Sequence, residues 1–351
     1  MEKKKKPSKS SSKGINPRLK QTFQRKVQMG VGEYIRGLQA GDRSTLAQAI
    51  TLIESNRPEQ MEMAQELLKV LRKEKKDTFR IGITGSPGVG KSTFIEALGM
   101  SFINQGHKVA VLSIDPSSNI TKGSILGDKT RMTTLSANSN AFIRPSPSAG
   151  TLGGVARNTR ETIELCEAAG YDRILIETVG VGQSETNVYY LADFFLLLLL
   201  PGAGDDLQGI KRGIVEMADL LIINKADGDR KKLAKEAKRN YQTALHLFPM
   251  KANGWQPKVK TCSALEGDGI PEIKTLLENY KSQTDLVKAK RNQQNKYWMY
   301  EAIDNGLKNT FFNHQKVRGL LSKLENDIEK ESLSPFEAAE KLLQQFFSTE
   351  K

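Results

Sequence analysis

Apolar positions change their spacing twice along this chain, and each change marks a boundary. Between 30 and 76 they recur every three or four residues. VGEYIRGLQAG carries Val31, Tyr34, Ile35 and Leu38 on one face and stops at Gly41. DRSTLAQAITLIES opens on an N-cap candidate, Asp42 or Ser44, and repeats Leu46, Ala49, Ile50 and Ile53. Pro58 suits the first turn of a helix running through MEMAQELLKVLRK. The spacing predicts two or three small helices.

From Phe79 short apolar runs alternate with helical stretches. FRIGITG (79–85), KVAVLSID (108–115), AFIRPS (141–146), RILIET (173–178), FFLLLLL (194–200), LLIINK (220–225) and KVKTCS (258–263) predict strands. KSTFIEALGMSFINQG and RNTRETIELCEAAG are examples of the helices between them. This alternation predicts an α/β fold, a mostly parallel sheet flanked by helices. FFLLLLL is too short to span a bilayer and reads as a strand buried on both faces.

After Gly269 the pattern is helical to the end. KYWMYEAIDNGLKNTFF and VRGLLSKLENDIEK are amphipathic, and SPFEAAEKLLQQFF has Ser334 as N-cap with Pro335 at the first helical position. The apolar residues Trp298, Ile303, Leu307, Phe311, Leu320, Leu321 and Leu324 exceed what one helix can bury. They call for packing on the parent domain or on a second copy. The expected organisation is a basic tail (1–28), an N-terminal helical extension (29–77), an α/β domain (78–283) and a C-terminal helical region (284–351).

Composition adds little to that pattern, and charge adds one feature. The chain has 351 residues, 38% hydrophobic and 26% charged, with a net charge of +13. Much of the excess lies in MEKKKKPSKSSSKG, a polar low-complexity stretch expected to be solvated and disordered. It lacks an apolar core of the secretory type and the Arg-rich amphipathic pattern of a transit peptide, so a cytoplasmic protein is expected. Cys166 and Cys262 form no CxxC pair, which suits a reducing compartment and opposes a disulfide scaffold. No RRM, KH or zinc-finger pattern accompanies the lysines, so nucleic acid is not the expected partner.

The chemistry begins at GSPGVGKST. Gly85, Gly90, Lys91 and Ser92 fill G-x-x-x-x-G-K-[ST] between a predicted strand and a predicted helix, the context a P-loop requires. Gly85, Ser86, Pro87, Gly88, Val89, Gly90 and Thr93 line such a loop, whose backbone N–H groups, absent at the proline, surround phosphate oxygens. The helix start adds its positive end. Lys91 is expected on the β and γ phosphates and Ser92 on Mg²⁺.

NKAD follows the strand LLII. Asp227 can accept from guanine N1–H and the N2 amino group, which adenine cannot match. Asn224 is expected on the purine edge and the Lys225 stem over the ring. Ser263, Ala264 and Leu265, in TCSALEG after the next strand, suit a loop that offers a backbone N–H to the guanine carbonyl. Asp115 ends VLSID, Asp128 lies in GSILGDKTRM, and Glu177 begins E-T-V-G, where small GTPases place an aspartate. These carboxylates are candidates, with Ser92, for Mg²⁺ or its water shell, and the sequence leaves open which touch the metal. Gly180 is expected to sense the γ phosphate. Lys91, Asp115, Glu177 and Gly180 are the residues expected to serve hydrolysis. The domain 78–283 thus reads as a P-loop GTPase.

GITGSPGVGKST, VLSIDPSS, GSILGDKTRM, FIRPSPSAGTLGGVA, ILIETVGVGQSE, PGAGDDLQGIKRGI and NKADGD, with the helical tail to SPFEAAEKLL, resemble the methylmalonyl-CoA mutase-associated GTPases of the MeaB/ArgK type. The resemblance covers about residues 30 to 345 and leaves the basic tail outside. It implies Mg-dependent GTP hydrolysis, GDP as product, and a homodimer formed through the C-terminal helices. It also implies a chaperone role toward an adenosylcobalamin-dependent acyl-CoA mutase, with cobalamin met only through that partner. Methylmalonyl-CoA and isobutyryl-CoA mutases both fit. PGAGDDLQGIK resembles the family's additional switch, with Asp205, Gln208 and Lys211 as its polar members and Gly202 and Gly204 giving it freedom. Lys211 is the residue there expected to couple hydrolysis to the mutase. Two other readings compete. Metallocentre maturation would call for a His or Cys cluster, whereas His107, His246 and His314 lie far apart. A transport-associated hydrolase or kinase is opposed by NKAD.

Overall fold

The apolar runs from Phe79 onward assemble into one sheet. The computed structural model describes residues 29–348 apart from 56, 74–75, 115–131, 145–151, 179–183, 203–211 and 252. Its strands are β1 (Phe79–Gly85), β2 (Val109–Ile114), β3 (Ala141–Arg144), β4 (Arg173–Thr178), β5 (Phe194–Leu199), β6 (Leu220–Ile223) and β7 (Lys258–Thr261). They lie in the order β3-β2-β4-β1-β5-β6-β7, with every neighbouring pair parallel. Asn224 and Lys225, and Cys262 and Ser263, which the apolar runs had included, fall just past their strands in loops at the carboxyl end. The basic tail lies outside the described residues.

Parallel strands are covered on both faces, and β5 shows why its apolar run does not alternate. Phe195, Leu197 and Leu199 enter one core, and Phe194, Leu196 and Leu198 enter the other. The second core is closed by α4 (Lys91–Ile103) and α10 (Ile270–Ser282), through Phe94, Leu98, Ile273 and Tyr280. The first is closed by α1 (Val31–Gln39), α2 (Arg43–Ile53), α3 (Pro58–Leu71), α6 (Leu152–Ala168), α7 (Ser184–Leu191) and α9 (Lys231–Leu245). Fully burying one such side chain is worth about 1.5–3 kcal/mol. The N-terminal extension therefore shares a core with the sheet: Leu46, Ile50, Leu67 and Leu68 join Ile163 and Ile174 in one cluster. Of the two N-cap candidates Asp42 serves, accepting from Ser44 N and Thr45 N. Small helices α5 (Thr133–Ala137) and α8 (Arg212–Met217) complete the domain.

The C-terminal region is α11 (Thr284–Asn313), α12 (Gln315–Glu329) and α13 (Pro335–Phe347), the last opened by a capping box of Ser334 and Glu337. Its apolar residues do not share one fate. Trp298 is buried against the parent domain, its Nε1–H donating to Tyr190 O at 2.9 Å. Leu324 packs with Val317, Ala338 and Leu342, and Phe311, Leu320 and Leu321 lie against that cluster. Ile303 (48% exposed) and Leu307 (65%) remain in solvent. Met299, Tyr300, Phe312, Phe336, Leu343 and Phe347 of the same region are exposed as well. No described helix is long and apolar enough to cross a membrane.

Candidate nucleotide site

Two loops at the carboxyl ends of β1 and β6 meet side by side, and the contact between them defines the site. β1 ends at Gly85, and α4 begins at Lys91. Gly85 has φ 154°, and a Cβ there would stand 2.6 Å from Leu198 O. Gly90 has φ 94°, and a Cβ would stand 2.8 Å from Asn224 Nδ2. The loop keeps its glycines because a neighbouring strand and a neighbouring loop press on it. Ser86 and Ser92 are half-buried, Pro87, Gly88 and Thr93 are exposed, and Val89 is buried. Lys91 Nζ donates to Gly85 O at 2.8 Å and to Ser86 O at 3.4 Å, so the ammonium arches back over its own loop. Burial lowers the Lys91 pKa from its ordinary value, against the opposing charges of Glu177 and Glu185.

Asn224 is the brace. Its Nδ2 donates to Val89 O at 2.8 Å. Its Oδ1 accepts from Ala264 N at 3.1 Å and from Cys262 Sγ at 3.3 Å. One amide, 1% exposed, joins the phosphate loop to the loop after β7. The sequence reading gave Asn224 to the purine edge. Here one of its two N–H donors is committed to the protein, and the second is what a purine can use. The Ala264 N–H, one of the backbone donors of the loop expected at the guanine carbonyl, is likewise given to Asn224. Leu265's side chain is 83% exposed.

Asp227 stands two residues beyond Lys225, whose φ of 57° is unusual for a side chain and marks strain held by the surrounding loop. Ser263 Oγ donates to Asp227 Oδ2 at 2.7 Å and accepts from Glu266 N at 3.1 Å. That fixes the carboxylate and leaves its other oxygen to meet a donor edge. A Cβ at Gly90 would lie 3.8 Å from Lys225 Cε, so the lysine stem runs along the phosphate loop.

On the other side of β1, Glu177 is 3% exposed and accepts from Ser113 Oγ at 2.8 Å. Thr84 and Thr178 hydroxyls meet at 2.9 Å beside it. Glu177 at the end of β4 is near enough for its charge to act on Lys91, at the start of the helix after β1. Asp115, Asp128, Gly180, Asp205, Gln208 and Lys211 lie outside the described residues. Among the described residues no group of three or more His, Cys, Asp or Glu side chains could hold a metal on its own. The sequence reading missed the Cys262 thiol and the buried Glu185. Neither stands in a motif position that signals it.

A phosphate loop and a guanine-type loop, braced to one another on a parallel sheet, define a P-loop GTPase. The comparisons with known proteins make the class specific: the chain belongs to the family described as "Methylmalonyl Co-A mutase-associated GTPase MeaB", which it matches over residues 46–316. It is 48% identical over 318 residues to a probable GTPase of Mycobacterium tuberculosis, covering 90% of this chain and 94% of that protein. It is 46% identical over 308 residues to the GTPase ArgK of Escherichia coli, covering 87% and 93%. It is 47% identical over 336 residues to the mitochondrial methylmalonic aciduria type A homolog of Mus musculus, covering 92% and 81%. Among solved structures, one described as a LAO/AO transport system kinase superposes with a TM-score of 0.70 at 38% identity, covering 90% of this chain and 96% of that one.

Proposed function

We propose that this GTPase is Mg-dependent and serves as a chaperone for an adenosylcobalamin-dependent acyl-CoA mutase, most simply methylmalonyl-CoA mutase. The state of its γ phosphate gates cofactor loading and protects or reactivates the mutase. The observation that carries the nucleotide half is the Asn224 brace, which sets the phosphate loop and the guanine loop at one fixed separation. The mutase half is supported by the family's description and by the name of the mouse relative. Lys91 swings from its own loop to the β and γ oxygens, and Asp227 reads the guanine donors. The donor set at the phosphate end is a hydroxyl, Ser92, and a buried carboxylate, Glu177, both hard oxygens that suit Mg²⁺ completed by phosphate and water. Asp115 and Asp128 are proposed beside them, Gly180 at the γ phosphate and Lys211 at the mutase-coupled switch. The bound metal would neutralise charge on the phosphate oxygens. Cobalamin belongs to the partner alone.

The exposed Ile303 and Leu307, with Met299 and Tyr300 on the same helix, are the surface proposed for a homodimer. The test of the reading is co-purification. The tagged chain, loaded with a non-hydrolysable GTP analogue or with GDP, is offered candidate mutases. Capture that differs between the two states supports it, and equal or absent capture refutes it.

A further inference from the structure

Several of the residues that bolt the C-terminal helix to the domain land on one short stretch, while Arg291 also donates to Thr78 O at 2.9 Å and Asn295 accepts from Arg160 at 2.9 Å. Gln294 Nε2 donates to Ala192 O at 2.7 Å, and Trp298 Nε1 donates to Tyr190 O at 2.9 Å. The Tyr297 and Tyr190 rings stack, with centroids 3.6 Å apart and planes 5° from parallel. Arg291 binds the Asp193 carboxylate through two nitrogens, each at 2.7 Å. The Lys290 ammonium lies over the Tyr189 ring, 3.1 Å from its centroid. Residues 290, 291, 294, 297 and 298 form one stripe of α11. The stretch they grip, Tyr189 to Asp193, is the end of α7 and the turn after it.

That end matters because of what the other end carries. α7 has only eight residues and would be marginal by itself. Its inner side presses on β1: a Cβ at Gly82 would meet Val188 Cγ1 at 2.8 Å and Ala192 Cβ at 2.9 Å. Its first turn carries Glu185, 1% exposed, whose charge acts with that of Glu177 on Lys91. α7 is thus held between β1 and α11, with a buried acid at its head whose charge is felt at Lys91.

We propose that Gln294, Tyr297 and Trp298 are positioning residues for GTP hydrolysis: by clasping α7 from outside they hold that helix, with Glu185 in its first turn, against the strand that leads into the phosphate loop. The guanine loop and the Asn224 brace lie across β5 from this clasp. Loosening α11 therefore slows the hydrolytic step and spares nucleotide affinity. The inference rests on the GTPase activity and is independent of the mutase.

The test is single-turnover GTP hydrolysis by full-length Tyr297→Ala, with GDP affinity and thermal melting measured in parallel. Tyr297 is half-buried, so the variant is expected to fold. The expected result is a rate at least about fivefold below wild type, with GDP affinity within about twofold, since small misplacements near reacting groups cost rate steeply. Tyr297→Phe, which keeps the ring stack, should hydrolyse like wild type. Combining Tyr297→Ala with Glu185→Gln should cost no more than the larger single effect, because both act through one carboxylate. A wild-type rate for Tyr297→Ala overturns the proposal, and so does an equal loss of rate and GDP affinity. Strictly additive losses in the double variant overturn the route through Glu185. Wild-type protein that hydrolyses no GTP would instead refute the activity on which the inference stands.

Discussion

Replacing Asn224 by alanine separates bracing from ligand contact, because the two make opposite claims about the nucleotide-free protein. The side chain is 1% exposed and makes three bonds: to Val89 O, from Ala264 N and from Cys262 Sγ. Alanine leaves a buried carbonyl and a buried N–H without these partners. Each such orphan costs about 1–3 kcal/mol, whereas the thiol contact is weak. The expected loss is about 3 kcal/mol before any nucleotide is added. In a domain of this size that is on the order of 6–10 °C in melting temperature. The assay is a thermal melt of the nucleotide-free variant, followed by titration with GDP. Affinity should also fall, since the phosphate loop and the guanine loop lose their fixed separation. A nucleotide-free variant that melts with wild type would refute the brace, even if GDP binding were lost, because Asn224 would then act only on the purine.

Four further outcomes follow from single contacts. Gly90→Ala should abolish nucleotide binding, measured by titration, since its Cβ would sit 2.8 Å from Asn224 Nδ2 at a backbone angle that alanine resists. Asp227→Asn should weaken GTP and favour the xanthine nucleotide in competition binding, because the amide offers a donor where guanine presents one; unchanged selectivity would count against Asp227 as the guanine reader. Lys91→Ala should fold normally, yet gain far less melting temperature than wild type on adding Mg-GTP, since among the described residues its ammonium bonds loop carbonyls alone. Lys290 is pushed down to about 7, first by burial and also by Lys251, against the pull of Asp219 and Asp193. Its burial penalty is full below that pH and is relieved as the folded form deprotonates, so stability should rise from pH 7 toward 10, by about 2–4 kcal/mol, and Lys290→Met should flatten that rise in denaturant titrations.

The parts of this molecule legible in the sequence are those whose cause is local. FFLLLLL could only be a strand covered twice, and its residues divide between the two cores as that demands. Ser334 followed by Pro335 announced a helix start, and the structure adds a capping box with Glu337. GSPGVGKST and NKAD were readable because each packs its chemistry into consecutive residues. What escaped was set by contacts between distant segments. Asn224 and Val89 are 135 positions apart, and nothing in NKAD says that its asparagine spends a donor on the phosphate loop. Trp298 looked like one member of an apolar stripe, yet its indole finds Tyr190 O, 108 positions earlier, and leaves that stripe.

The brace and the clasp divide the site into a fixed side and a side that can transmit. The guanine side is tied to the phosphate loop by a buried amide with both its oxygen and one N–H satisfied, so displacing it breaks several bonds at once. The α7 side is held from outside by one ring stack, two single hydrogen bonds, an ion pair and the Lys290 ammonium over Tyr189, all from one helix, and from inside by its packing on β1. That helix is 30 residues long, which at 1.5 Å per residue is about 45 Å. A tilt of about 5° where α7 grips it, near residue 294, would carry its far end, about 28 Å away, through about 2.5 Å, by the same geometry. The far end bears Leu307 and Phe312, both exposed, and leads directly into α12 and α13. Under the proposal above, a response to the γ phosphate that started at Glu177 and Glu185 would leave the domain through α11. It has no comparable path through the guanine loop, where the same bonds that fix the base also fix the frame.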